Sequence, residues 1–388
     1  MKKYISLFLC ILLLASCSNS GEKRSRVLKV YNWADYIDEE VLTEFPAWYK
    51  EQTGEDIRII YQVFDINEIM LTKIERGQED FDLVCPSEYI IERMLKKDLL
   101  LPINRNFGKT PDYIPNISPY IQKELEKISQ PGRHTNDYVV PYMWGTAGIL
   151  YNKKFKTLEE VSSWGCLWDA VNRGKILMKD SYRDAYGTAI IYAHARQLAD
   201  STITVEQLMN DNSPEAIALA EQYLKDMKPN IAGWEADFGK EMMTKNKAWL
   251  NLTWSGDAVR AIEEAEAVDV DLDYVVPREG SNIWYDGWAI PKYARNVKAA
   301  SYFINYLCQP DIALRNMDAI GYVSAVATPE IMEAKIDTTL EQFSDLSYFF
   351  GPGADSVQIN PIQYPDRKVV ERCAMIRDFG DRTELVLE

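Results

Sequence analysis

Over its first hundred residues the chain changes hydrophobic period at regular intervals, and this alternation limits the available folds more than any other feature. Leu28 to Asn32 is a short β-prone run. Asp38 to Glu51 has helical spacing, which Pro46 is expected to interrupt or split. Ile57 to Val63 alternates and is β-branched. Asn67 to Arg76 is helical, with Gly77 as its stop. Phe81 to Cys85 is a third strand-like run ended by Pro86, and Glu88 to Lys97 is helical again. Strand and helix in turn at this spacing predict an α/β fold with a parallel sheet covered by helices. Such sheets bind ligands beyond the carboxyl ends of their strands. Here those ends are Asn32-Trp33-Ala34-Asp35-Tyr36 and Pro86-Ser87-Glu88-Tyr89, so two strand ends bring polar and aromatic groups to one rim.

The same grammar resumes after residue 140. Residues 101 to 136 form an irregular excursion around a short helix, Ile117 to Ile128. The apolar stretch from Tyr138 to Asn152 is placed to cross between lobes. Beyond it, Lys175 to Met178 is a strand. Ser163 to Arg173, Tyr186 to Ala199, Ser213 to Lys228, Asp257 to Ala267 and Asn296 to Cys308 are helices, the last ended by Pro310. A chain of 388 residues exceeds one ordinary domain. Two α/β lobes are expected: 28–140 with about 277–320, and 141–276 with about 321–388.

The N-terminus carries a targeting signal. Lys2 and Lys3 precede an apolar run, Ile5 to Leu14, that is too short to span a bilayer. Leu14-Ala15-Ser16-Cys17 then looks like the lipobox of a bacterial lipoprotein. This implies a signal peptide over 1–16, an acylated Cys17, and a tether to residue 27. The expected location is periplasmic or extracytoplasmic, on a membrane but not through it.

Of the six cysteines, four follow Cys17: Cys85, Cys166, Cys308 and Cys373 are scattered without a C-x-x-C. That leaves a zinc ribbon or thioredoxin site unsupported and any pairing unassigned. Without Lys2 and Lys3, the formal charge of −16 becomes about −18. An acidic chain argues against nucleic acid and suits a cation. The two histidines, His134 and His194, have no partner motif. No catalytic residue, metal or cofactor is expected.

Three tryptophans are followed closely by an aspartate, each after a β-prone run: Trp33 and Asp35, Trp254 and Asp257, Trp284 and Asp286. An indole face beside a carboxylate attracts an organic ammonium. The surrounding strings carry a resemblance. Val30-Tyr31-Asn32-Trp33-Ala34-Asp35-Tyr36-Ile37, Phe81 to Tyr89, Val140 to Gly145, Trp254-Ser255-Gly256-Asp257-Ala258, Trp284 to Pro291 and Ile320-Gly321-Tyr322 resemble, in order, the spermidine/putrescine-binding proteins of polyamine ABC importers.

The resemblance implies a two-lobed, type II periplasmic-binding-protein-like fold, each lobe a sheet flanked by helices, with putrescine or spermidine in the cleft and an ABC permease as partner. It implies ligand contacts at Trp33, Asp35, Tyr36, Ser87, Tyr89, Asp184, Trp254, Asp257, Trp284, Asp286 and Tyr322. Ala34 departs from the family's Ser or Thr, Asp184 from its Glu, and Ser181 from the Asp of some spermidine binders, which leaves the preferred polyamine open. Asp257 could instead cap the helix after it, and Asp184 could pair with Arg183. A sensing receptor of the same fold, a binder of another small ligand and an exported glycoside hydrolase are the alternatives.

Overall fold

Burial of alternate and continuous apolar runs produces eleven strands among the described residues of the computed structural model, which are 23–77, 79–235 and 238–387. The signal segment, Cys17 and the first part of the tether lie outside them. The strands are β1 (Val27–Trp33), β2 (Arg58–Phe64), β3 (Leu83–Val84), β4 (Leu100–Leu101), β5 (Val139–Asn152), β6 (Ile176–Lys179), β7 (Ile231–Glu235), β8 (Leu250–Trp254), β9 (Leu272–Val275), β10 (Ile283–Pro291) and β11 (Val323–Ser324). They run in the order β2-β1-β3-β10-β5-β8-β6-β7, with β4 on β10 and both β9 and β11 on β5.

The parallel expectation holds for β1 with β2 and β3, and for β6 with β7 and β8. It fails in the middle. Strands β5 and β10 pair antiparallel, and β8 and β9 join β5 antiparallel. The sheet is therefore mixed. Each half begins as a strand–helix array, and long connections return the chain to the centre in the opposite sense.

The crossing is made by β5. Up to Thr146 it pairs with β10 and β11, and from Ala147 it pairs with β8 and β9. All its residues are buried, which explains the uninterrupted apolar run. One core gathers around β1, β3, β10 and the first half of β5, two smaller clusters lie around β6, β8 and the second half of β5, and a fourth packs between helices Tyr182–Ala193 and Pro214–Met227. The C-terminal segment divides between them. Ile331, Phe349, Ile359 and Tyr364 pack in the first core, and Ala374 and Ile376 in the second. Cys85, Cys166, Cys308 and Cys373 are all free thiols. Among the described residues no helix is long and apolar enough to cross a membrane.

Several helices differ from expectation for physical reasons. Glu39–Thr53 runs unbroken through Pro46. Its buried face, Val41, Phe45 and Tyr49, packs on Phe303, Tyr302 and Tyr306, which offsets the hydrogen bond proline removes. Pro310 does not merely end a helix. It opens another, Pro310–Ile320, because its missing N–H is harmless in a first turn. The stretch Ser163 to Arg173 forms two 3₁₀ turns, Trp164–Leu167 and Ala170–Asn172. The helix expected from Tyr186 starts at Tyr182, since the Ser181 side chain caps it by accepting the Asp184 N–H. That start moves Asp184 from a loop into the first helical turn.

Candidate functional site

The ends of β1, β6 and β8 and the start of β10 converge where β5 changes partners. On the β1 side, Trp33 is the last strand residue and is half-buried, its ring 4.6 Å from Phe64. Asp35 follows with φ +48°, a left-handed turn that Asp tolerates, and is exposed. That turn swings Tyr36 inward, where its hydroxyl donates to Asp286 Oδ2 at 2.8 Å. The second rim element is set by Asn67, whose Nδ2 donates to Ser87 Oγ and to the Tyr89 hydroxyl, each at 3.1 Å. Ser87 also faces Asp286, so Asp286 joins the two strand ends of the expected rim.

Strand β10 supplies Trp284 and Asp286 on one face while the Tyr285 side chain points the other way, toward Tyr120, and its backbone N–H donates to Glu88 Oε2. Its pairing with β5 slips between Tyr285 and Gly287, at Asp286, and Asp286 lies opposite Ser87 in an isolated bridge. The carboxyl is 6% exposed, and its Oδ1 accepts no hydrogen bond. Burial pushes its pKa up to about 6, against the pull of the Ser87 and Tyr36 hydroxyls. Burial and the nearby Asp286 charge push the Tyr36 phenol well above its ordinary value.

The other wall comes from the second half. Trp254 ends β8 and donates its indole N–H to Asp184 Oδ2 at 3.1 Å. Asp184 Oδ1 accepts from Asn282 Nδ2 at 3.0 Å, so Asn282 and Trp254, not Arg183, hold this acid. Asp257 is the third residue of helix Ser255–Glu266, whose N-cap position is Trp254. Asp257 is therefore not the cap. Its Oδ1 accepts from the Tyr322 hydroxyl at 2.8 Å, and its Oδ2 from Lys179 Nζ at 2.7 Å. Tyr322 stands edge-on to Trp284 and Tyr36, with ring centroids 5.4 and 5.5 Å away. The chain Asp257–Tyr322–Tyr36–Asp286 thereby links the two walls.

Two glycines make this aromatic wall possible. A Cβ at Gly256 would lie 2.3 Å from the Tyr322 ring, and one at Gly145 would lie 2.7 Å from the Trp284 indole. Both fall inside strings singled out in the sequence.

Hydrogen bonds, a strand bridge and ring contacts, with Asn67 and Lys179 as intermediates, thus connect nine of the eleven expected residues; Trp33 ends β1 beside Phe64, and Asp35 is exposed. Trp144 and Trp164 are fully buried packing residues. Sequence reasoning missed Asn67, Glu68, Lys179, Tyr182 and Asn282. Glu68 Oε1 accepts from Tyr89 at 3.2 Å and from Tyr182 at 3.0 Å, a tie between the two halves. No local pattern marks these five; their partners are 21 to 114 positions away where the bonds of Glu68 are concerned. Among the described residues, no group of three or more His, Cys, Asp and Glu is placed to hold a metal.

The family described as bacterial extracellular solute-binding protein matches residues 47–335. The chain belongs to this family. It is 30% identical over 345 residues to the putrescine-binding periplasmic protein SpuD of Pseudomonas aeruginosa, covering 86% of this chain and 88% of the relative. It is 29% identical over 313 residues to the spermidine/putrescine-binding periplasmic protein of Escherichia coli, covering 80% of each. Among solved structures, the spermidine/putrescine ABC transporter substrate-binding protein PotD of Streptococcus pneumoniae superposes with a TM-score of 0.68. It is 30% identical, and the match covers 93% of this chain and 98% of that one. The fold of this solute-binding protein is accordingly the two-lobed type II form.

Proposed function

We propose that this chain is an extracytoplasmic receptor that binds putrescine or spermidine and delivers it to an ABC transporter permease. Cys17, outside the described residues, would carry the lipid that holds it to a membrane. The observation that carries the reading is the pair of buried carboxylates, Asp184 and Asp286, set among Trp254, Trp284, Tyr36 and Tyr322, with Asp286 Oδ1 left without a donor. A buried acceptor of this kind is matched by an ammonium of the ligand.

The energetics favour a cleft that closes. Each ammonium–carboxylate contact is worth roughly 4 kcal/mol gross at an effective dielectric near 20, and desolvation cancels much of it. Burying four methylenes between indoles adds at most roughly 3 kcal/mol, and each cation–π contact about 0.5–2 kcal/mol. A micromolar complex needs about 8 kcal/mol net. Groups from both walls must engage together, and the Glu68–Tyr182 bond ties the two halves of the chain across the cleft.

The ligand contacts proposed are Trp33, Tyr36, Ser87, Tyr89, Asp184, Trp254, Trp284, Asp286 and Tyr322, with Asp257 on the wall behind them and Asp35 at the rim. The test is calorimetric titration of the protein with putrescine and spermidine at pH 8. Saturable binding at micromolar or lower concentration is expected. Absence of heat with either amine, and with longer polyamines, would end the reading.

A further inference from the structure

The position over Trp254 and beside Asp257 already holds an alkylammonium, and it belongs to the protein. Lys179 is the last residue of β6. Its neighbour Met178 pairs with Leu252 on β8, which aims the Lys179 stem at the Trp254 end of that strand. The side chain is 7% exposed, and its Nζ lies 4.6 Å from the Trp254 ring centroid and 2.7 Å from Asp257 Oδ2. Glu235 faces it from behind at 3.9 Å and is itself turned toward the Gly239 N–H and Asn251. An indole face plus a carboxylate is the contact set that a primary amine of a polyamine would seek. A lysine this deep needs partners of this kind, since a buried cation is otherwise costly.

We propose that Lys179 is a specificity-determining residue: a tethered ammonium that fills the Trp254–Asp257 position, so that the cleft takes a diamine in preference to a triamine. The inference rests on the polyamine reading above and names the ligand class within it. Trp254 gives one face to Lys179 and its N–H to Asp184, so the indole separates the tethered cation from the acids left for ligand. Those are Asp184 and Asp286, one for each end of a diamine. A third ligand nitrogen would meet a salt bridge already formed and a like charge, which costs affinity instead of adding it.

The experiment is calorimetric titration of putrescine and spermidine against wild type, Lys179→Met, Asp257→Asn and the double variant, with thermal unfolding as a folding check. Wild type is expected to bind putrescine at least tenfold more tightly than spermidine. Lys179→Met keeps the stem and frees Asp257, and should shift the affinity ratio toward spermidine by tenfold or more. Asp257→Asn takes from Lys179 its nearest carboxylate, leaves more of its charge facing the ligand and should weaken putrescine. Adding Lys179→Met should then recover at least tenfold of that loss. If Met does not fold, Lys179→Gln serves the same comparison, and the wild-type preference is a readout that needs no variant. A wild type that prefers spermidine, or a ratio unmoved in folded Lys179 variants, overturns the proposal while leaving a polyamine receptor. A wild type that binds neither amine overturns the polyamine reading itself, and this proposal with it.

Discussion

The two walls of the cleft hold carboxylates in opposite electrical situations. Asp286, on the β10 wall, is buried with two hydroxyls near it and, among the described residues, one oxygen without a donor. Asp257, on the wall opposite, is half-buried and already carries Lys179 and Tyr322. In the sequence the two look alike, each an aspartate just after a tryptophan. The difference shows that an acid in a binding cleft is not the same as a charge available to ligand. The free acid costs stability until ligand arrives, whereas the paired acid is satisfied without it.

Replacing the unpaired acid should have the largest effect. Asp286→Asn is expected to lower putrescine and spermidine affinity at least a hundredfold by calorimetry. It should also raise the thermal midpoint of the ligand-free protein at pH 8. Asp286 has a folded pKa of about 6 against an unfolded value of 3.8, so folding takes up a proton between these values. The cost, roughly 3 kcal/mol, is absent below pH 3.8 and fully present above pH 6. A variant with unchanged affinity would break the contrast between the walls.

Next in size is Gly256→Ala. The added Cβ would collide with the Tyr322 ring, with an expected loss of about 1–3 kcal/mol in urea unfolding. A neutral result would mean that Tyr322 is free to move. The third effect is on pH dependence. Ammonium binding needs ionised Asp286, so affinity should fall about tenfold from pH 8 to pH 5. Titration near pH 6 should release protons, visible as a buffer-dependent heat. A flat profile would place the ligand away from Asp286. The smallest change is expected from Tyr322→Phe, which removes one hydroxyl from an Asp257 that keeps Lys179. A loss of about fivefold or less in affinity, roughly 1 kcal/mol, would sharpen the contrast, and a hundredfold loss would reverse it.

Much of the site was legible because its residues sit where strand ends can be read locally. The run Leu28 to Asn32 announces β1, and the turn after it places Trp33 and Tyr36. Gly145 and Gly256 fall within informative strings because aromatic rings need the space a Cβ would fill. Helix starts were harder. The hydrophobic spacing from Tyr186 onward hid a start at Tyr182, because the cap at Ser181 is one hydrogen bond and not a pattern. The central antiparallel pairing of β5 with β10 was not legible at all, since it joins residues more than a hundred positions apart.

Local propensity and apolar period, which act over a few residues, sufficed to set the strands, most helices and the clustering of tryptophan with aspartate in this chain. The state of each acid was decided only on folding. Whether Asp257 meets a lysine from β6, or Asp286 two hydroxyls, depends on which strands become neighbours. Charge–charge energy depends on that distance and on burial, and neither is written along the chain.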